Sequence, residues 1–307
     1  MRVPSKFLAP KLNKSFMSAQ EEKIWRNYDQ AGLDSQYNSR ATVPDFTVYI
    51  RQYAERTRAA KASLPCIENL RYGDASAELL DIYPASHANA PVLVFLHGGD
   101  WRTLSKEDGG FGAPAFVAEG ITFVVPDFTL VPNTTVQAMG EQLSRMLVWV
   151  WRNISAHGGD PSRVFLAGHS SGANLVTQLL TTDQMRTAGA PADLVKGAVF
   201  ISGLGDLEPV RLSFRNDNLR LDRAAVLRAS LLHRQPTVSS PLLVAVGERE
   251  TDDYKRQARE VVTYWNAKGN QAEYFELAGH HHFNSVLAWA DPQSAFFRAT
   301  LAMMDRT

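Results

Sequence analysis

Ser170 stands at the centre of Gly168-His169-Ser170-Ser171-Gly172, directly after the β-rich run RVFLA (163–167) and before the helical run ANLVTQLL. A serine with glycines two residues to either side suits a sharp strand–turn–helix junction. Side chains at the glycine positions would collide with the neighbouring strand and helix, and the turn projects the serine hydroxyl. The N-terminus of the following helix favours negative charge developing beside that hydroxyl. The competing reading is a phosphate loop, but no G-K-[ST] follows the glycines. The chemistry to expect is nucleophilic attack by Ser170.

Such attack needs donors for an oxyanion, a base and a group that orients the base. His97-Gly98-Gly99-Asp100-Trp101 follows the run VLVFL (92–96). Two glycines at a strand end let backbone N–H groups face a reacting centre without Cβ obstruction. HGGD recurs at 157–160, where it ends a helical run and precedes PSRV, so Gly158 and Gly159 read as a helix C-cap. The oxyanion role is therefore expected of Gly98 and Gly99, with the N–H of Ser171.

Gly247-Glu248-Arg249-Glu250-Thr251-Asp252-Asp253 follows PLLVAV (241–246), and Gly279-His280-His281-His282-Phe283 follows AEYFEL (272–277). Glu250, Asp252 and Asp253 all compete to hold a histidine in the right tautomer, or else all begin the next helix as favourable N-terminal charges. One of the three histidines would be the general base. A metal site is the other reading, but adjacent histidines rarely converge on one ion and no H-x-x-x-H or H-E-x-x-H accompanies them. His157 and His233 have no comparable context and read as surface or core residues.

These groups require a frame. Seven short apolar runs, at 79–83, 92–96, 121–125, 163–167, 197–201, 241–246 and 272–277, alternate with helical stretches at 110–119, 134–157, 172–186 and 253–269. Near-continuous apolar strands suit a parallel sheet covered on both faces, and strand–helix alternation marks an α/β fold. In such sheets function sits at the carboxyl ends of the strands. Residues 1–66 differ in being charged and helix-forming, with Phe46, Ile50, Tyr53 and Ala54 near helical spacing. The Trp149–Trp151 stretch belongs to a helix expected to pack on the sheet.

Of the 307 residues 45% are hydrophobic, enough for a sizeable core and too many for global disorder. Thirty-two basic residues balance thirty-two acidic ones, which argues against a nucleic-acid binder. The single cysteine, Cys66, excludes an internal disulfide, and no stretch of about 18 apolar residues could span a bilayer. No signal-peptide h-region is evident, so a cytoplasmic protein is expected and the sequons at Asn13, Asn133 and Asn153 carry no meaning.

Serine, acid and histidine thus follow one another in the chain order of α/β-hydrolases. Within that superfamily the sequence resembles the kynurenine formamidase (arylformamidase) group. The resemblance covers most of residues 68–290 and rests on LDIYP, HGGDW, GHSSGAN, VGERETDDYKRQ and HHHF. The group's strand-end pattern G-E-x-D, then P-E-F-x-R-Q, aligns with GERETDDYKRQ and implies Glu250 as the acid. Its histidine immediately precedes phenylalanine, which implies His282. The implied triad is Ser170, Glu250 and His282, with Glu where Asp is usual and with Asp100 where an aromatic or neutral residue is commoner.

What this implies is an α/β-hydrolase fold: a mostly parallel central sheet flanked by helices in one domain. A helical N-terminal segment (1–66) and an insertion at about 203–240 would cap residues 67–307. The expected activity is cleavage of a small-molecule amide or ester through an acyl-enzyme. An arylformamidase-like amidase on N-formyl or N-acyl aryl amines comes first, a carboxylesterase of short acyl or aryl esters second. A non-catalytic binding protein on the same fold would require an incomplete triad. No cofactor and no metal are expected, and a homodimer is a family-level expectation. Trp101, Phe128 and Phe283 are the candidate apolar walls of the pocket.

Overall fold

The computed structural model describes residues 22–306; the sequon at Asn13 and the first residues of the N-terminal segment lie outside them. Among the described residues eight strands form one sheet. They are β1 (Ile67–Arg71), β2 (Leu79–Tyr83), β3 (Ala90–Leu96), β4 (Thr122–Pro126), β5 (Gly159–His169), β6 (Val195–Ile201), β7 (Leu242–Gly247) and β8 (Ala272–Leu277). Their order is β1-β2-β4-β3-β5-β6-β7-β8. The β1–β2 and β2–β4 pairs are antiparallel and all others parallel, the mostly parallel sheet that was expected. Seven strands match the apolar runs. The eighth, β1, reads IENLR and is only partly buried, so an apolar-run search cannot find it.

Side chains alternate across a strand, and the central strands are apolar at both parities. Val92, Val94 and Leu96 of β3 join one core cluster, while Leu93 and Phe95 join the other. Ala198 and Phe200 of β6 divide from Val199 and Ile201 in the same way. The first face is covered by α4 (Val136–Asn153), α5 (Ser171–Leu179) and α10 (Asp252–Ala267). In α4, Met139, Leu143, Met146, Leu147 and Val150 bury one stripe at helical spacing, each worth about 1.5–3 kcal/mol. Thr135 caps that helix by accepting the Ala138 N–H at 3.2 Å. Trp149 and Trp151 pack half-buried against the same cluster.

α2 (Thr47–Ser63), α3 (Ala113–Ala118), α11 (Ser285–Trp289) and α12 (Ala295–Arg306) cover the second face. The expected helix over 172–186 is interrupted, with α5 ending at Leu179 and α6 (Gln184–Thr187) following. Between β6 and β7 lie α7 (Glu208–Leu212), α8 (Asn216–Leu219) and α9 (Arg223–Ala229), each too short for a 3.6-residue period to register in sequence. No helix among the described residues is long and apolar enough to cross a membrane.

The N-terminal segment is fastened down at several points. Residues 22–29 form a turn in which Trp25 bridges to Tyr28, and α1 (Gln30–Tyr37) follows. Tyr37 donates its hydroxyl to Asp253 at the start of α10, and Thr251 Oγ1 donates to the Gln36 carbonyl at 2.8 Å. At the far end of α2, the Lys61 ammonium sits 2.9 Å from the buried Asp81 carboxylate, which Lys106 also approaches at 3.1 Å. Two cations on one buried carboxylate offset its desolvation and tie α2 to the sheet.

Candidate active site

Parallel register brings the carboxyl ends of the central strands together. Leu96 pairs with Gly168, His169 with Ile201, Ile201 with Ala245, and Gly247 with Leu277. The residues that follow those ends are Gly98 and Gly99, Ser170, Ser202, Glu250 and His282. Segments remote in sequence therefore meet at one edge because the strands that deliver them are hydrogen-bonded neighbours.

Ser170 has φ 55° and ψ −121°, a left-handed conformation in a non-glycine residue, so the turn is held under strain by its surroundings. A Cβ on Gly172 would run into the carbonyl oxygens of Leu96 and His97, and one on Gly168 would lie 2.5 Å from the Gly172 oxygen. The glycines therefore allow the close approach of turn, helix and strand on which the serine's position depends.

The Ser170 hydroxyl lies 3.0 Å from His282 Nε2, and His282 Nδ1 lies 2.8 Å from Glu250 Oε2. A carboxylate only accepts, so Nδ1 carries the proton and Nε2 is free to take one from the serine. The other oxygen of Glu250 accepts the Gly247 N–H at 2.8 Å and the Ser202 hydroxyl at 2.5 Å. Burial alone would push the Glu250 carboxyl up. The charge and hydrogen bond of His282, with those two further donors, outweigh burial and hold it below its ordinary value. This arrangement can deprotonate a serine and stabilise the imidazolium that results.

The acids that compete in sequence part company here. Asp252 is exposed in the first turn of α10, whereas Asp253 is buried and takes up Tyr37 and Arg256. The three histidines also diverge. His280 Nδ1 donates to the Ala278 carbonyl, His281 Nδ1 accepts the Phe283 N–H, and His282 alone reaches the serine.

Gly98 lies against the serine: a Cβ there would come 3.2 Å from the Cβ of Ser170. Gly99 adopts φ 105°, and a Cβ on it would strike the Thr103 carbonyl. His97 stacks on Phe128 with ring centroids 4.5 Å apart and donates from Nδ1 to the Gly98 carbonyl at 2.8 Å. That bond fixes the Gly98–Gly99 peptide and hence the direction of the Gly99 N–H. Ser171 opens α5, where the first N–H groups have no intrahelical partner.

Beside the serine is a cavity of about 400 Å³, within the range of small-molecule sites. Much of its wall comes from the N-terminal segment, including Tyr37, Phe46, Ile50 and Tyr53, and part from Phe214 and Arg215 between β6 and β7. Phe283 lines it as expected from sequence, but Trp101 and Phe128 do not. Trp101 is 1% exposed and Phe128 is 3% exposed; both are core residues beneath the glycine loop, Phe128 as the platform for His97. Trp101 ends the glycine loop and Phe128 follows β4, and both side chains turn into the core.

A sequence profile described as alpha/beta hydrolase fold matches residues 93–284. The chain belongs to the α/β-hydrolase fold family. Among curated proteins this hydrolase chain is 25% identical over 296 residues to kynurenine formamidase of Danio rerio, covering 92% of this chain and 99% of that one. It is 30% identical over 145 residues to the carboxylesterase NlhH of Mycobacterium tuberculosis, covering 47% and 44%. Among solved structures it superposes with a TM-score of 0.78 on a thioesterase candidate from Silicibacter sp. TM1040, at 25% identity and covering 89% and 98%.

Several residues at the hydrolase site escape sequence motifs. Ser202, at φ 50° and 1% exposed, bridges Glu250 to Ser285 Oγ at 2.8 Å, and Ser285 Oγ lies 3.1 Å from the His282 carbonyl oxygen. His169 Nε2 donates to that same carbonyl at 2.8 Å; burial, then the neighbouring His282, lower its pKa to about 3, so it stays neutral. Tyr53 donates its hydroxyl to the Phe283 carbonyl. Position immediately after a β-rich run was a usable signal for Ser202, which follows GAVFI; Ser285 and Tyr53 offered none.

Proposed function

We propose that this hydrolase cleaves a small amide or ester by acyl transfer to Ser170. His282 removes the hydroxyl proton, Glu250 orients His282, and the N–H groups of Gly98, Gly99 and Ser171 receive the oxyanion. His282 then protonates the leaving amine or alcohol, and water, deprotonated by the same histidine, releases the acyl group. The hydrogen-bonded chain from Ser170 through His282 to Glu250 supports these roles.

The preferred substrates are N-formyl or N-acyl aryl amines, an arylformamidase-like activity. The observation that carries this reading is the reach of the similarity. Fold alone does not set a substrate, and here much of the cavity wall is the segment from Tyr37 to Tyr53. The match to the Danio rerio kynurenine formamidase covers 92% of the chain, leaving only about 25 residues outside it, so it takes in that wall. The carboxylesterase match covers 47%. Ester hydrolysis is the second reading, favoured by the 30% identity to that esterase over 145 residues.

The test has two stages. A fluorophosphonate probe followed by mass spectrometry should place its adduct on Ser170 and nowhere in Ser170→Ala. Turnover of an N-formyl aryl amine is then compared with that of p-nitrophenyl acetate. Efficient ester cleavage with negligible formamide cleavage would replace the first reading with the second, and no labelling of folded protein would remove both. We also propose that the protein is cytoplasmic.

A further inference from the structure

The glycine loop continues into a conformation that few residues adopt. After Gly99, Asp100 has φ 59° and Trp101 φ 56°. Two consecutive non-glycine residues in the left-handed region are costly, and aspartate tolerates it better than most. The turn brings Asp100 to the cavity that Ser170 and His282 also line, where it is the one carboxylate among the lining residues. Its Oδ1 is shielded from solvent and has no hydrogen-bond partner.

A carboxylate here works against acyl transfer. It lies one residue from a proposed oxyanion donor, so its charge opposes the negative charge that develops in the transition state. The structure supplies a counter-charge from a different element. Arg215, which precedes α8, is 8% exposed and places NH1 3.5 Å from Asp100 Oδ1. Asp100 is its one ion-pair partner among the described residues. The guanidinium is steadied by the Tyr37 ring, 5.9 Å from its centroid, and by Ser39 Oγ at 3.5 Å.

We propose that Arg215 is a positioning residue that neutralises Asp100 beside the oxyanion site, so that the segment between β6 and β7 sets the electrostatics of the glycine loop. This rests on the acyl-transfer reading above. Its signature is reversal: removing Arg215 exposes the Asp100 charge, and removing that charge as well restores the rate.

The experiment is a double-mutant cycle read as kcat and KM on one neutral ester, with thermal unfolding of each variant. Arg215→Gln should lower kcat by about ten- to a hundredfold with KM changed less than about threefold, the size of an unscreened charge near a transition-state oxyanion. Asp100→Asn should recover most of that loss in the Arg215→Gln background, a coupling between neighbouring sites. Arg215→Lys, which keeps the charge, should retain most of the rate. If Arg215→Gln does not fold, Arg215→Met takes its place in the same cycle. A double variant as slow as the single one would overturn the proposal and leave Arg215 a prop for the cap. A loss confined to KM would overturn it in favour of substrate binding. Retained turnover in Ser170→Ala would instead sink the acyl-transfer reading itself.

Discussion

HGGD occurs twice in this chain, and the two copies have different structural fates. The copy at 97–100 follows β3 at the carboxyl edge of the sheet, with His97 buried and bonded to the Gly98 carbonyl. The copy at 157–160 follows α4 at the amino end of β5. There Gly158, at φ 83°, terminates the helical turn, Gly159 begins the strand by pairing with Ala90, and Asp160 accepts the Ser162 N–H at 2.8 Å. The expected C-cap is thus Gly158 alone, since Gly159 belongs to the sheet. A tetrapeptide specifies turn chemistry, while the edge of the sheet it is attached to decides whether its N–H groups meet a nucleophile.

Substitutions that treat the copies alike should separate them. Gly99→Ala is expected to have the largest effect, about 10²- to 10³-fold in kcat, as for loss of an oxyanion donor, because the new Cβ meets the Thr103 carbonyl and forces the loop to move. Steady-state kinetics on a folded variant checks this; turnover within about threefold of the parent would remove Gly99 from the site. Gly159→Ala should act on stability instead. Its Cβ would lie 2.6 Å from Ile154 Cγ1 and 2.7 Å from Val92 Cγ2, an overpacking worth about 1–3 kcal/mol in urea denaturation, with kcat/KM per folded molecule unchanged.

Acid should also act on the catalytic edge. Burial lowers the pKa of His97, and burial with the nearby His282 lowers that of His169 to about 3. The unfolded chain therefore binds these protons first. Their contribution to stability is whole above about pH 6.5 and declines as pH falls towards 3, by about 2 kcal/mol for His169 between pH 6.5 and 5. Urea midpoints measured across that interval should fall in the parent and fall less in His169→Gln; equal slopes would show that His169 is not buried neutral. The smallest effect is expected at Gly158→Ala, where φ 83° disfavours a side chain but nothing lies close enough to clash. About 1 kcal/mol of stability and no activity should be lost.

The legibility of the molecule follows the same division. Strands buried on both faces announce themselves as apolar runs, and Ser170 and Glu250 follow two of these, whereas His282 follows β8, a half-exposed edge strand still rich in apolar residues. β1 escaped notice because an edge strand need not be apolar, and α7 to α9 because one or two turns carry no period. Trp101 and Phe128 belong to the core and not to the cavity wall, because position just after a strand end says nothing of which way a side chain turns. The N-terminal segment offered no clue to substrate in its sequence, yet Tyr37, Phe46, Ile50 and Tyr53 line the cavity.

By itself, the amino-acid sequence determined seven of the eight described strands, the order of serine, acid and histidine, and the glycines that permit the sharp turns. Those are properties of short segments, set by apolar patterning and by the steric demands of a single backbone turn. Tertiary structure alone decided that Asp253 turns away to Tyr37 and Arg256, that Ser202 braces Glu250 and Ser285 meets the His282 carbonyl, and that Arg215 lies against Asp100. Each of these depends on register between strands or on packing between elements more than a hundred residues apart in some cases, and contact between such elements is settled only when the chain closes on itself.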